Sequence, residues 1–260
     1  MTPIWRFTEL EFYALWSGAA DDSLPGPFTF VADPTSTDQL EYDIRSTRNR
    51  LSATLHPAAL AMFEAIADPD LYLVVTGWDE QEPLEPEGHL RMVASRRQDK
   101  GYVITQLPGS SFWHSRGYTA FECDPLRLAD EAVRALPDTG AGTHGDFSLV
   151  DVGGSGMDYD YGRSSVREPE YESIAVSARR FRESTARRAG RITINQGRSI
   201  FGPRGQVQYR LGWRDLDGDG RYVTTDDTPP RVISADAAQL TALVNTRIAA
   251  TIRAIKDERR

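Results

Sequence analysis

The sequence predicts an α+β protein with pseudo-two-fold symmetry, built on a central antiparallel β-sheet flanked by helices and helical bundles. Three observations predict it. The order helix, antiparallel strands, helix runs twice along the chain. The strand segments are β-rich runs separated by turn residues, one of them, Val207 to Arg214, alternating with period two, and the helical segments open at capping residues or proline.

Ile4 to Phe7 is a short apolar segment, and Thr8 with Glu11 forms a capping box that opens a helix carrying Leu10, Phe12, Tyr13, Leu15 and Trp16, ended near Gly18. A Pro/Gly-rich connector follows around Pro25, Gly26 and Pro27. DQLEYDIRSTRNRL, with Leu40, Ile44 and Leu51 at helical spacing, is a second helix, and PAALAMFEAIAD, with proline at its first position, is a third. LYLVVTGWD, HLRMVASRR, GYVITQL and GYTAFEC are β-rich runs separated by turn residues and predict an antiparallel meander before the helix PLRLADEAVRAL.

Residues 137–166 are rich in glycine, serine and aspartate and are expected as a linker between an N-terminal half, 1–136, and a C-terminal half, 167–260, the two forming a single domain. GGSGMDYDYG lacks a feeding strand and a following lysine, so it does not make a phosphate loop. The second round is a helix near 170–188, strands RITINQGRSI, QVQYRLGWR, RYVTT and RVI, and a long helix after Ser234. The two sheets are expected to join.

Composition narrows the class. The 260 residues suffice for one large domain or two halves sharing a core, and 40% hydrophobic with 26% charged residues is an ordinary globular balance. No apolar run approaches the roughly 18 residues of a membrane span, and MTPIWRFTELEF carries acids early where a signal peptide is basic and then apolar, which predicts a cytoplasmic protein without membrane insertion. Cys123, the single cysteine, reads as a small buried hydrophobe.

The net charge of −8 is uneven: residues 1–145 hold 22 acids and 11 bases, net −11, and residues 146–260 hold 16 acids and 19 bases, net +3. Arg179, Arg180, Arg182, Arg187, Arg188 and Arg191 crowd the second half. They read as the basic end of one helix, complementing its dipole and capped by Gly190, rather than as a nucleic-acid surface, because an acidic chain repels nucleic acid at long range.

DLDGDGRYVTTD, residues 215–226, has carboxylates at Asp215, Asp217 and Asp219, glycine at Gly220 and Asp226 at the twelfth position, the ligand spacing of a calcium-binding EF-hand loop. Its flanks argue otherwise. Val207, Tyr209, Leu211 and Trp213 alternate with polar residues as a half-buried strand, and TTDDTPPR forbids a helix on the far side. Aspartate and glycine dominate hairpin turns, so a metal-free turn is expected.

No cofactor is implied, and catalytic motifs are missing from the sequence. His56, His89, His114 and His144 are scattered without metal spacing, and no HExxH or GxSxG is present. Glu80, Glu82, Glu85 and Glu87 cluster in one loop, with nothing nearby in sequence to build an apolar pocket that would raise a carboxylate pKa. An enzyme using that loop, or calcium binding through Asp215, Asp217 and Asp219, stands as the alternative to a binding protein.

GWRDLDGDGRYVTT followed by RVISADAAQLTALVNTRI resembles the C-terminal part of the ESX (type VII) secretion-associated EspG family, and FTELEFYALW resembles its opening. The resemblance implies an actinobacterial cytosolic chaperone, not an enzyme, that holds PE/PPE-like client pairs by the exposed tip of the PPE partner. It places the client contact on the central sheet, on the loop between the first two long strands and on the C-terminal helical region. Here that loop is DEQEPLEPEG, residues 79–88. Leu84 is expected to supply an apolar contact, Glu82 and Glu85 to steer a basic patch, and Trp78 and Trp213, on strands at corresponding places in the two halves, to frame an apolar floor.

Overall fold

The structure, a computed structural model, describes residues 3–20, 23–32, 36–149 and 169–259. The first half runs β1 (Ile4–Phe7), α1 (Glu9–Ala19), α2 (Thr37–Thr54), α3 (Pro57–Ala67), β2 (Leu71–Asp79), β3 (Leu90–Arg97), β4 (Lys100–Pro108), β5 (Ser115–Cys123) and α4 (Leu128–Arg134). The second runs β6 (Phe147–Ser148), α5 (Pro169–Glu183), β7 (Ala186–Gln196), β8 (Gln208–Leu216), β9 (Arg221–Thr225), β10 (Arg231–Ser234) and α6 (Ala237–Glu258).

Among the described residues the strands form one ten-stranded sheet in the order β1-β5-β4-β3-β2-β7-β8-β9-β10-β6. Its centre is the pairing of β2 with β7, antiparallel from Leu71 opposite Gln196 to Asp79 opposite Arg188. Read outward from that centre, β2 matches β7, β3 matches β8, β4 matches β9, β5 matches β10 and β1 matches β6. The expected pseudo-two-fold α+β architecture is therefore present, with the two sheets fused.

Local chemistry explains the elements. Thr8 accepts from Glu11 N at 3.2 Å while the Glu11 carboxylate accepts from Thr8 N at 3.0 Å, the capping box that starts α1 and contributes about 1 kcal/mol. Asp236 and Gln239 repeat the device at α6. α3 starts on Pro57, behind a cap in which His56 Nδ1 accepts from Ala58 N.

Two sequence expectations are corrected. The helix expected over 170–188 ends at Glu183, and Arg187, Arg188 and Arg191 belong to β7. The six arginines therefore do not share one helix end, and Gly190 is a strand residue, paired with Trp213 rather than capping a helix. The stretch 137–166, expected as a linker, is built into the fold at its start. Residues 147–148 pair with Val232 and Arg231 as β6, and Gly140 O accepts from Arg221 N. The rest of that stretch lies outside the described residues.

Period-two alternation sorts the sheet into two faces. On one face Leu73, Val75, Met92, Ala94, Val103, Ile192, Ile194, Leu211, Trp213 and Val223 pack under α4 and α6. On the other, Val93, Tyr102, Ile104, Tyr118 and Ala120 pack under α1 and α3, while α5 brings Phe181 against Tyr222 and Phe147 at the far side. Trp213 lies across the two central strands because its row holds glycines: a Cβ on Gly77 would sit 2.8 Å from the indole and one on Gly190 2.6 Å from it.

Candidate functional site

On the face that carries α1, α3 and α5, the central strands lie between the two helix groups. Tyr72, Val74, Thr76 and Trp78 of β2 and Thr193 of β7 are half-buried, and Arg191, Gln208 and Arg210 are exposed. They form a mixed apolar and polar trough along the sheet. At its end near the β7–β8 loop it opens into a groove of about 550 Å³ lined by Trp16, Pro25, Ile66, Pro69, Tyr72, Val74, Thr193, Asn195, Gly197 and Gln208.

At the trough's other end stands the β2–β3 loop. The Asp79 carboxylate accepts from Gln81 N at 2.9 Å and from Glu82 N at 3.2 Å, and these two hydrogen bonds hold its pKa below the usual carboxylate value. Residues Pro86–Gly88 make a 3₁₀ turn, and the His89 ring nitrogen Nε2 donates to Pro83 O at 2.8 Å. Burial lowers the His89 pKa, and the Arg91 charge acts in the same direction. Two anchors tie the loop to both halves: Glu80 to Arg214 at 3.3 Å and Glu87 to Arg116 at 3.2 Å. Such a loop presents its tip with little ordering left to pay on binding.

That tip carries Leu84, 75% exposed, between exposed Glu82 and Glu85. Trp78 stands on the trough face at the base of the loop. Trp213 does not join them, which corrects the expected apolar floor. It is 2% exposed and faces the α4/α6 core, with the Arg221 guanidinium 5.3 Å from its ring centroid. Its strand β8 also matches β3, not β2, in the pseudo-symmetry.

The structure adds a neighbour that sequence reasoning missed. The β4–β5 loop places Phe112 edge-on to His89 at 4.7 Å and next to Trp113, which is 60% exposed. Arg91, buried, holds this loop by donating to Phe112 O at 2.8 Å and stacking on its ring at 4.5 Å, while its other nitrogen donates to Thr29 Oγ1 at 2.7 Å. The signal in the sequence was the adjacent aromatic pair in GSSFWHS, a turn composition that gives large side chains no core to enter. Leu84 and Trp113 thus belong to two loops at the same end of the sheet, linked by Glu87–Arg116.

The acidic turn is a hairpin between β8 and β9, flanked by strands on both sides. Asp215 accepts two hydrogen bonds from Arg221, and Asp219 accepts from Tyr222 Oη at 2.7 Å and from Thr143 N and Oγ1 at 2.8 and 2.9 Å. The four histidines serve separate local roles: His56 caps α3, His89 holds the tip loop, His114 meets Ser111, and His144 lies 3.7 Å from Asp219. Among the described residues no group of three or more His, Cys, Asp and Glu is placed to hold a metal ion, and no helix is long and apolar enough to cross a membrane.

The model of the EspG family matches residues 8–253. The structure of the Mycobacterium tuberculosis type VII secretion system chaperone EspG5, solved in complex with a PE25–PPE41 dimer, aligns with a TM-score of 0.54. The alignment covers 98% of this chain and 96% of that one at 11% sequence identity, a likeness of fold. No curated protein matches the chain in sequence.

Proposed function

The chain belongs to the EspG family, and we propose that it is a cytosolic chaperone of type VII secretion, one that binds a PE/PPE-like heterodimer and keeps it soluble for export. Its work is recognition rather than catalysis. The observation that carries this reading beyond family membership is the trough on the central strands, flanked by helices on both sides and closed at one end by a stiff acidic loop with an exposed leucine.

Each part has a physical task in that reading. The trough's half-buried Val74, Tyr72 and Trp78 offer apolar area to an elongated partner, while Thr193, Arg191 and Gln208 supply donors and acceptors along its rim. Leu84 is the apolar anchor of the tip, and Glu82 and Glu85 draw in a basic patch, acting mainly on association rate and partner choice. Trp113, beside them, widens the same contact. Trp213 is left out because it packs in the core.

Co-purification with the PE/PPE-like pair encoded nearest to this chain tests the reading. The wild type is expected to hold the pair in one soluble complex, and a Glu82→Gln, Leu84→Ser, Glu85→Gln variant to recover much less of it. Substitution is preferable to deletion because Asp79, Glu80 and Glu87 are structural members of the loop. Failure of the wild type to bind the pair contradicts the chaperone assignment.

A further inference from the structure

The pseudo-symmetry gives the β2–β3 loop a counterpart. β7 and β8 are the strands that match β2 and β3, and the loop joining them, residues 197–207, also contains a 3₁₀ turn opened by proline, Pro203–Gly205 against Pro86–Gly88. Because β2 and β7 pair antiparallel, the two loops stand at opposite ends of the trough. Nine residues of β2 at roughly 3.3 Å each set the spacing near 30 Å.

The two loops are chemically inverse. The first carries Glu80, Glu82, Glu85 and Glu87; the second carries Arg198 and Arg204 and no acid. Both show apolar side chains to water, Leu84 in the first and the adjacent Ile200 and Phe201, 69% and 71% exposed, in the second.

The second loop is also held rigid. Glu258, at the end of α6, accepts from Ile200 N at 3.2 Å and from Gln196 Nε2 at 2.9 Å. Ser199 Oγ accepts from Phe201 N at 3.1 Å, and Gln206 Nε2 donates to Gly197 O at 2.6 Å. Gly202 has φ of 74°, a conformation that a side chain disfavours. Arg198 and Arg204 are both exposed, and Arg198 is paired with Asp68. Two neighbouring large apolar residues fixed in water by this much hydrogen bonding are an anchor without its partner.

We propose that the β7–β8 loop is a second prong for the same client, taking an acidic segment of it that carries an apolar side chain, and thereby fixing the client's direction along the trough. This rests on the chaperone reading above. Charge complementarity carries the choice of occupant: a client whose basic patch meets Glu82 and Glu85 and whose acidic segment meets Arg204 is matched at both ends, and the reversed orientation meets like charge at both. The groove of about 550 Å³ runs up to Gly197 at the base of this loop, so the contact surface is continuous between the trough and the second prong.

The test uses the full chain and the PE/PPE-like pair encoded nearest to it. An Ile200→Ser, Phe201→Ser variant should bind the pair at least about ten-fold more weakly than wild type, with its melting temperature unchanged. Arg204→Glu should slow association, and the effect should fade as salt is raised. A photo-crosslinking residue at position 201 should capture the client in an otherwise native chain. Wild-type binding with undiminished affinity in the double variant and no capture at position 201 overturns this inference alone. Failure of the wild type to bind overturns it together with the chaperone reading.

Discussion

The Asp215 carboxylate accepts two hydrogen bonds from the Arg221 guanidinium, from Nε at 2.7 Å and from Nη2 at 2.8 Å, and Arg221 is 1% exposed. The guanidinium also donates to Pro137 O at 2.7 Å and lies over Trp213. One pair therefore ties the β8–β9 hairpin to the segment leading into the second half. A buried pair contributes little over a well-packed apolar alternative, but removing one partner strands the other charge. Arg221→Ala is expected to cost about 3–5 kcal/mol in urea unfolding. A cost under about 1 kcal/mol contradicts this account of the hairpin.

The same pairing decides the calcium question. A ligand bound only by the folded state raises its melting temperature by mass action. With Asp215 engaged by Arg221, and Asp219 by Tyr222 and Thr143, the carboxylates at the first and fifth positions of the loop are already satisfied. Millimolar calcium should leave the melting temperature where it is. An upward shift that a chelator reverses shows the turn to be a metal site.

Cys123 provides a pH prediction. Burial pushes its thiol up to about 12, with Glu131, Asp124 and Glu122 adding to the effect. The folded protein thus keeps a proton that the unfolded chain releases near pH 9. The corresponding stability is fully present below that pH and is lost as the pH rises toward 12. At pH 8 the thiol should react with a disulfide reagent far more slowly than in the unfolded chain, because only the thiolate attacks. Equal rates in the two states refute the shielding of this partly buried thiol.

How far the sequence could be read depended on whether an element announces itself locally. The meander β2 to β5 was legible as β-rich runs cut by turn residues, as were the capping box at Thr8 and the helix start at Pro57. β6 was not: two residues in a glycine-rich stretch become a strand only through pairing with β10, more than 80 residues away. The α5–β7 boundary was hidden because ESTARRAGR offers helix-forming alanine and arginine, while Gly190 leaves room for the indole of Trp213 and Ala186 and Ala189 are buried in β7. The two tryptophans show the limit most clearly. Trp78 pairs with Ala189 and Trp213 with Gly190, so a one-residue offset on β7 sends them to opposite faces. The exposure of Glu82, Leu84 and Glu85 followed from composition alone; the adjacent Trp113 needed the fold to bring its loop alongside.

The most direct test of recognition through the acidic tip is the kinetics of binding to the immobilised PE/PPE-like pair encoded nearest to the chain, wild type against Glu82→Gln, Glu85→Gln and against Leu84→Ser, across a salt series. Wild-type binding should be saturable, the association rate lowered several-fold at low salt by loss of the two carboxylates and converging with wild type as salt rises, and dissociation faster on loss of the leucine. Wild-type binding whose rates are indifferent to all three substitutions, or no binding at all, contradicts recognition through the tip.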